Sequence, residues 1–261
     1  MNKLKIFIFL ISASVGLTPH TCFSKSIDYE MIKIPKGKFS MNIPVYYSTK
    51  IVYVEKKVVI KKDYYIGKYE VTNKLWTECY KDGGCQKEAF YKAKEGRNNP
   101  SVKLNWHDAF RFSKWISKKT GMKYRLPTEE EWAYAAYMGE DTGDRKSEKE
   151  ITYDYVSRST ESLTSKRTKP VGSINKNDWG LYDFYGNVWE WTLTCWYGSE
   201  ENMLKERTIK ELNNPRACTT RITRGETRSH IPDFISDTYN GGCATLRPAA
   251  NLGFRLVREI E

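Results

Sequence analysis

The sequence predicts an α+β fold of short antiparallel strands with a few helices set among them, on three observations. Residues 50–65 alternate apolar and basic side chains, with Val52, Val54, Val58 and Ile60 on one face, the pattern of an antiparallel sheet with one wet side. Two segments, 105–121 and 128–139, carry helical periodicity between recognisable caps. Residues 219–261 return to short strands and turns, and no internal repeat appears. A chain of 261 residues can bury a substantial core, and 8 Trp, 18 Tyr and 10 Phe supply bulky material for it.

Residues 1–24 stand apart. Lys3 and Lys5 precede the apolar or small run Ile6 to Val15, and Cys22-Phe23-Ser24 resembles a small-x-small cleavage site, so the segment reads as a secretory signal. The apolar run is too short to span a bilayer comfortably. The expectation is a single domain over 25–261, exported to the periplasm or the exterior, with no transmembrane span after signal cleavage. Lys3 and Lys5 are the only charges removed with the signal, so the formal charge falls from +11 to +9. The lysines are scattered, as at Lys56-Lys57, Lys61-Lys62 and Lys118-Lys119, with no basic helix or nucleic-acid motif. They read as a solvated face, with an acidic partner left open. Mean hydropathy of -0.66 excludes a multi-span membrane protein.

Beyond the signal, Met31-Ile32-Lys33-Ile34 alternates as a strand, and Gly37 to Met41 follows a turn at Pro35. Thr72 or Asn73 can cap a short helix to about Tyr80. Asn105 caps a second helix, with Ala109, Phe112, Trp115 and Ile116 on one side and Gly121 at its end. Thr128 and Glu131 form a capping box for a third, with Trp132, Ala135 and Ala136 inward and Gly139 at the stop. Residues 140–169 form a long charged surface excursion within the domain, and 200–217 a second polar insert.

Five cysteines follow the signal, in a compartment where disulfides persist. Cys79 and Cys85 enclose a Gly-containing turn, and Cys195 and Cys218 bracket the second insert. Those two bridges are expected, with Cys243 left over as either a reactive thiol or an inert buried one. Spacing alone does not fix the connectivity.

The chain is organised around Gly180-Leu181-Tyr182-Asp183-Phe184-Tyr185-Gly186-Asn187-Val188-Trp189-Glu190-Trp191. Gly186 permits a tight path. Trp189 and Trp191 alternate with Val188 and Glu190 as in a half-buried strand. Asp183 and Glu190 offer oxygen that either suits calcium or caps local backbone amides. This stretch resembles the G-L-Y-D-M-x-G-N-V-W-E-W signature of the formylglycine-generating enzyme, or sulfatase-modifying factor, family. Five further pieces follow in that family's order: Tyr69-Glu70-Val71-Thr72-Asn73; Asn99-Pro100-Ser101-Val102 through Trp106-His107-Asp108-Ala109; Arg125-Leu126-Pro127-Thr128-Glu129-Glu130-Glu131-Trp132; Arg224-Gly225; and Asn251-Leu252-Gly253-Phe254-Arg255-Leu256. The resemblance covers roughly 30–261 and implies a compact, loop-rich, C-type-lectin-like fold.

The resemblance also implies chemistry, and here the chain departs from it. Family oxidases hold copper(I) on two cysteines five residues apart after the R-G-G-S segment, and thiolates suit that soft ion. Counted from Arg224-Gly225, this chain has His230 and Ile235 at those positions, and Glu226, Thr227 and Arg228 replace the second Gly, Ser and Trp. Copper is therefore disfavoured. So is the iron of a second, histidine-rich branch, because only His107 and His230 follow the signal. His107 reads as a polar first-turn helix residue. No nucleophile signature or phosphate loop is present. Calcium survives: the resemblance implies ligation by Asp183, the Gly186 and Val188 carbonyls, and Glu190, with a second site around 154–157.

Three functional readings follow. The first is a binding or regulatory module without copper, whose partner is another envelope or exported protein; some exported relatives are accessory to secretion systems. The second is an enzyme of different oxidative or maturation chemistry, using Arg228, His230 and Arg247 near Trp189, as with an exported relative in pigment-siderophore maturation. The third is a copper oxidase recruiting Cys243.

Overall fold

The computed structural model describes residues 27–47, 50–89, 96–140, 168–197, 199–225, 242–244, 246 and 252–260. Four strands, β1 (Met31–Ile34), β4 (Tyr64–Gly67), β10 (Val257–Glu259) and β5 (Tyr124–Arg125), form one antiparallel sheet in the order β1-β4-β10-β5. It ties the two ends of the domain together. β2 (Gly37–Tyr47) and β3 (Lys50–Ile60) form a separate antiparallel ribbon, in register from Gly37↔Ile60 to Tyr47↔Lys50. The third sheet has the order β8-β7-β6-β9, from β6 (Trp189–Cys195), β7 (Thr220–Arg224), β8 (Gly242–Ala244) and β9 (Leu252–Gly253).

The helices start where their caps dictate. In α1 (Asn73–Lys81) the Thr72 hydroxyl accepts the Leu75 N–H. α2 (Trp106–Thr120) opens on an Asn105–Asp108 capping box and ends at Gly121 in the left-handed region, φ 74°. α3 (Glu129–Ala136) opens on the Thr128–Glu131 box. It stops at Ala136, three residues before Gly139. Each cap contributes on the order of 1 kcal/mol. The polar insert 200–217 is more ordered than its composition implied: α4 (Glu200–Leu204) and α5 (Ile209–Leu212) sit in it, with Met203 and Leu212 buried. Two buried side chains and a Thr208–Glu211 capping box give these short turns the burial that polarity alone could not.

The Cys79–Cys85 and Cys195–Cys218 bridges are both formed, with Cα–Cα distances of 5.3 and 6.0 Å. One apolar cluster gathers α1, α2 and β6 around Trp76, Phe112, Trp191 and Phe254. A second gathers the β2–β3 ribbon and α3 around Phe39, Ile66, Trp132 and Phe184. No helix among the described residues is long and apolar enough to cross a membrane.

Candidate functional site

The 180–191 stretch is wrapped around Arg255. This side chain is fully buried, and so are Glu70, Asp183 and Glu190. Arg255 Nε donates to Glu190 Oε2 and Nη2 to Glu190 Oε1, both at 2.7 Å. The guanidinium also donates to the Tyr182 carbonyl at 2.9 Å and lies 3.9 Å from the Phe184 ring centre. Trp132 Nε1 of α3 donates to Glu190 Oε2 at 2.9 Å. Burial alone would weaken the Arg255 cation, but the Glu190 charge and its hydrogen bonds outweigh that and hold it above its ordinary value. The stretch thus places a backbone carbonyl, an aromatic face and a carboxylate around one cation brought in by the C-terminal strands.

Two other residues shape the turn. Asp183 and Asn187 have left-handed backbones, φ 63° and 65°. Asp and Asn tolerate that region better than other residues with a side chain. Gly186, expected to supply the tight path, is not among the positive-φ residues; its carbonyl accepts the Val188 N–H at 2.8 Å. The Asp183 carboxylate accepts the Ile174 N–H at 2.9 Å and that of Gly172. Asn187 Nδ2 donates to Glu70 Oε1 at 3.0 Å. Glu70 Oε2 is buried with no hydrogen-bond partner among the described residues. Burial first, then the Asp183 charge, pushes the Glu70 carboxyl well above the usual carboxylate range, which favours its protonated form.

Strand β6 is buried along its whole length. The half-buried alternation expected for Trp189 to Trp191 is therefore corrected: β7 and β9 flank the strand on its two edges, and Glu190 points into the interior because Arg255 meets it there. Gly225 lies against this strand, where a Cβ would stand 2.8 Å from the Val188 carbonyl oxygen at φ 132°. Only glycine fits that approach.

This donor set does not fit the calcium shell that the resemblance implies. Both Glu190 oxygens accept Arg255, one of them Trp132 as well; both Asp183 oxygens accept backbone amides; and the Gly186 carbonyl accepts Val188. A divalent cation beside Glu190 would also meet a resident guanidinium. The Val188 carbonyl faces Gly225. Among the described residues, no group of three or more His, Cys, Asp or Glu is arranged to hold a metal ion. The arrangement locks a buried turn, and Glu70 is sealed from solvent with its protonated form favoured.

The other anticipated residues lie apart from this knot. His107 sits in the first turn of α2, half-buried, its ring 5.3 Å from that of Trp106. Burial, then the Arg111 and Arg221 charges, pulls its pKa below the ordinary value. Cys243 lies in β8 opposite Arg221 of β7, with its side chain outside the described residues. Arg228, His230, Ile235, Arg247 and positions 154–157 also fall outside them. Sequence reasoning missed Glu70 and Arg255 as members of one site. A charge inside the apolar run Gly253-Phe254-Arg255-Leu256-Val257 was the available signal for Arg255.

Comparison with known proteins places this arrangement in a family. The model of the sulfatase-modifying factor enzyme 1-like domain matches residues 22–260. "Chaperone protein LppX" of Paenibacillus barcinonensis is 28% identical over 247 residues, covering 75% of this chain and 81% of that protein. The formylglycine-generating enzyme of Thermomonospora curvata is 30% identical over 158 residues, covering 52% of this chain and 50% of the enzyme. This chain thus spans about half the length of that enzyme. Among solved structures, PvdO from Pseudomonas aeruginosa superposes with a TM-score of 0.64 at 25% identity, covering 89% of this chain and 95% of PvdO. With a fold, an ordered motif set and a family model that agree over nearly the whole length, the chain belongs to the sulfatase-modifying factor enzyme 1-like domain family.

Proposed function

We propose that this protein is an exported member of its family that serves the cell envelope as a binding or regulatory module without copper chemistry. The allocation of sulfur carries this reading. Of six cysteines, four are joined in the Cys79–Cys85 and Cys195–Cys218 bridges. Cys22 and Cys243 remain outside them, far apart in sequence and the first within the expected signal. A two-thiolate copper(I) site needs two adjacent deprotonated thiols. At the corresponding positions this chain carries His230 and Ile235. The similarity to a protein named as a chaperone supports a role in holding another polypeptide.

The test is direct. Purified protein is supplied with copper(I), oxygen and a sulfatase-type cysteine peptide, and the peptide mass is followed. The expected result is an unchanged cysteine; conversion to the aldehyde overturns the reading. Export is checked by N-terminal sequencing of protein from its own cells. A start at Lys25 is expected, and retention of Met1 contradicts it.

A further inference from the structure

A groove of about 540 Å3 runs beside β3, away from the Arg255 knot. One wall is β3 itself. Residues Lys56 to Ile60 line it consecutively. A pleated strand presenting one face would contribute only every second residue, so the wall is the strand's edge. Among the described residues β3 pairs only with β2. Its outer edge therefore carries backbone N–H and C=O groups with no strand beside them. The opposite wall is the segment from Met203 to Leu212, tied to β6 by the Cys195–Cys218 bridge.

Charge on the two walls is unequal. Every carboxylate lining the groove is already engaged. Glu130 takes Lys56 at 2.7 Å, Glu131 and Glu259 take Arg125 at 2.6 and 2.8 Å, Asp63 takes Lys33 at 3.0 Å, and Glu206 takes Lys61 at 3.5 Å. Lys57, Lys62, Lys205 and Arg207 line the same groove, and among the described residues none of them is in ion-pair contact with a carboxylate, although the Arg207 and Lys205 charges act on nearby Glu211. Arg207 is held in place: its guanidinium stacks 3.7 Å from the Tyr197 ring centre, and Nη1 donates to the Asn202 and Lys205 carbonyls. That leaves other guanidinium N–H groups unspent. On β3 the exposed side chains alternate as Glu55, Lys57 and Val59, with Lys61 just past the strand's end, and Val59 is 47% exposed in spite of being apolar.

We infer that this groove docks an extended acidic segment of another protein, which adds to β3 as a strand and sets its carboxylates against Lys57, Lys62, Lys205 and Arg207. Backbone pairing along an open edge gives such a complex its affinity, and alternate side chains give it selectivity. The same-face series Lys57-x-Val59-x-Lys61 favours an acidic-x-apolar-x-acidic spacing opposite it, because cross-strand neighbours of opposite charge and apolar neighbours both stabilise a sheet. This inference rests on the binding-module reading and names its site and partner chemistry.

The test uses the full mature chain and a fluorescent peptide of sequence Glu-Thr-Val-Thr-Glu-Thr with blocked ends, which carries Glu, Val and Glu on one face, followed by anisotropy. Controls are Lys-Thr-Val-Thr-Lys-Thr and a version of the acidic peptide with its Val replaced by Pro, which lacks an N–H for the ladder. Saturable binding of the acidic peptide alone is expected. The double variant Lys57→Glu, Lys62→Glu should weaken it at least about tenfold and gain affinity for the lysine peptide, with an unchanged near-ultraviolet circular dichroism spectrum. Absence of saturable binding to the wild type overturns the inference. So does undiminished binding to the double variant, or equal binding of the Pro-containing peptide, which would reduce the groove to a plain cationic surface. A negative peptide result in a protein that also leaves the cysteine peptide unoxidised removes the groove and leaves the module reading standing.

Discussion

The Arg255 knot and the β3 groove hold charge in opposite ways. In the knot a buried cation is bracketed by a bidentate carboxylate, a carbonyl and an aromatic face, and burial and the Asp183 charge raise the pKa of one neighbouring acid, Glu70. In the groove, four exposed or half-exposed cations make no ion-pair contact among the described residues and stand beside an open strand edge. Charge that is matched within the chain has no capacity left for a ligand. Charge left unmatched at an accessible edge retains it. The family's signature motif is thus spent on contacts within the fold, and the docking proposed above uses a surface that the motif does not include.

The largest expected effect is in the knot. Arg255→Met strands Glu190 in the interior and should cost about 3–5 kcal/mol, the range for breaking a buried pair from one side. Lys57→Met in the groove should stay within about 0.5 kcal/mol, as exposed substitutions do. Urea denaturation of both variants measures the contrast, and equal costs would erase it. Next is Cys195→Ser with Cys218→Ser, which frees the groove's far wall. With a separation of 23 residues, loop-closure entropy gives a loss of about 3 kcal/mol, against about 2 kcal/mol for the pair six residues apart, Cys79 and Cys85. The reverse order in thermal melts would show that the insert is not anchored by this bridge.

A smaller effect concerns Glu70. Its folded pKa is raised, so the folded state binds more protons than the unfolded one between the ordinary carboxylate pKa and the folded value. Its contribution is thus fully present below the unfolded pKa and is lost as pH rises through the folded one. Glu70→Gln, which keeps an acceptor for Asn187, should raise Tm at pH 7 and leave it unchanged near pH 3. A gain of equal size at both pH values would mean that Glu70 is not neutral in the fold. The smallest expected effect is none: EDTA should leave Tm where it is, because the donors around Glu190 are already spent. A fall with chelator, reversed by calcium, would show that a metal bound only to the folded state stabilises it.

Much of the fold was legible. Thr72, Asn105 and the Thr128–Glu131 box mark helix starts locally, and caps act over three residues. The β2–β3 ribbon shows in its alternation, and the cysteine spacing pointed to both bridges. The site was less legible because its pairing is not local. Glu190 and Arg255 are 65 residues apart, and nothing in the 180–191 stretch reveals that its acid meets an arginine rather than a metal. The left-handed turns fell on Asp183 and Asn187 because side-chain hydrogen bonds to Gly172, Ile174 and Glu70 hold them there, a cause that a search for glycine overlooks. The groove joins residues 56–60 to 203–212, and its open edge exists only once β3 has found β2.

The most direct measurement is an anaerobic copper(I) titration of the oxidised mature protein, with bound metal counted after desalting. A protein whose sulfur is committed to two bridges should retain no stoichiometric copper, before or after Cys243→Ser. One equivalent retained by the wild type and lost in the Cys243→Ser variant would contradict the account and return the chain to the copper oxidases.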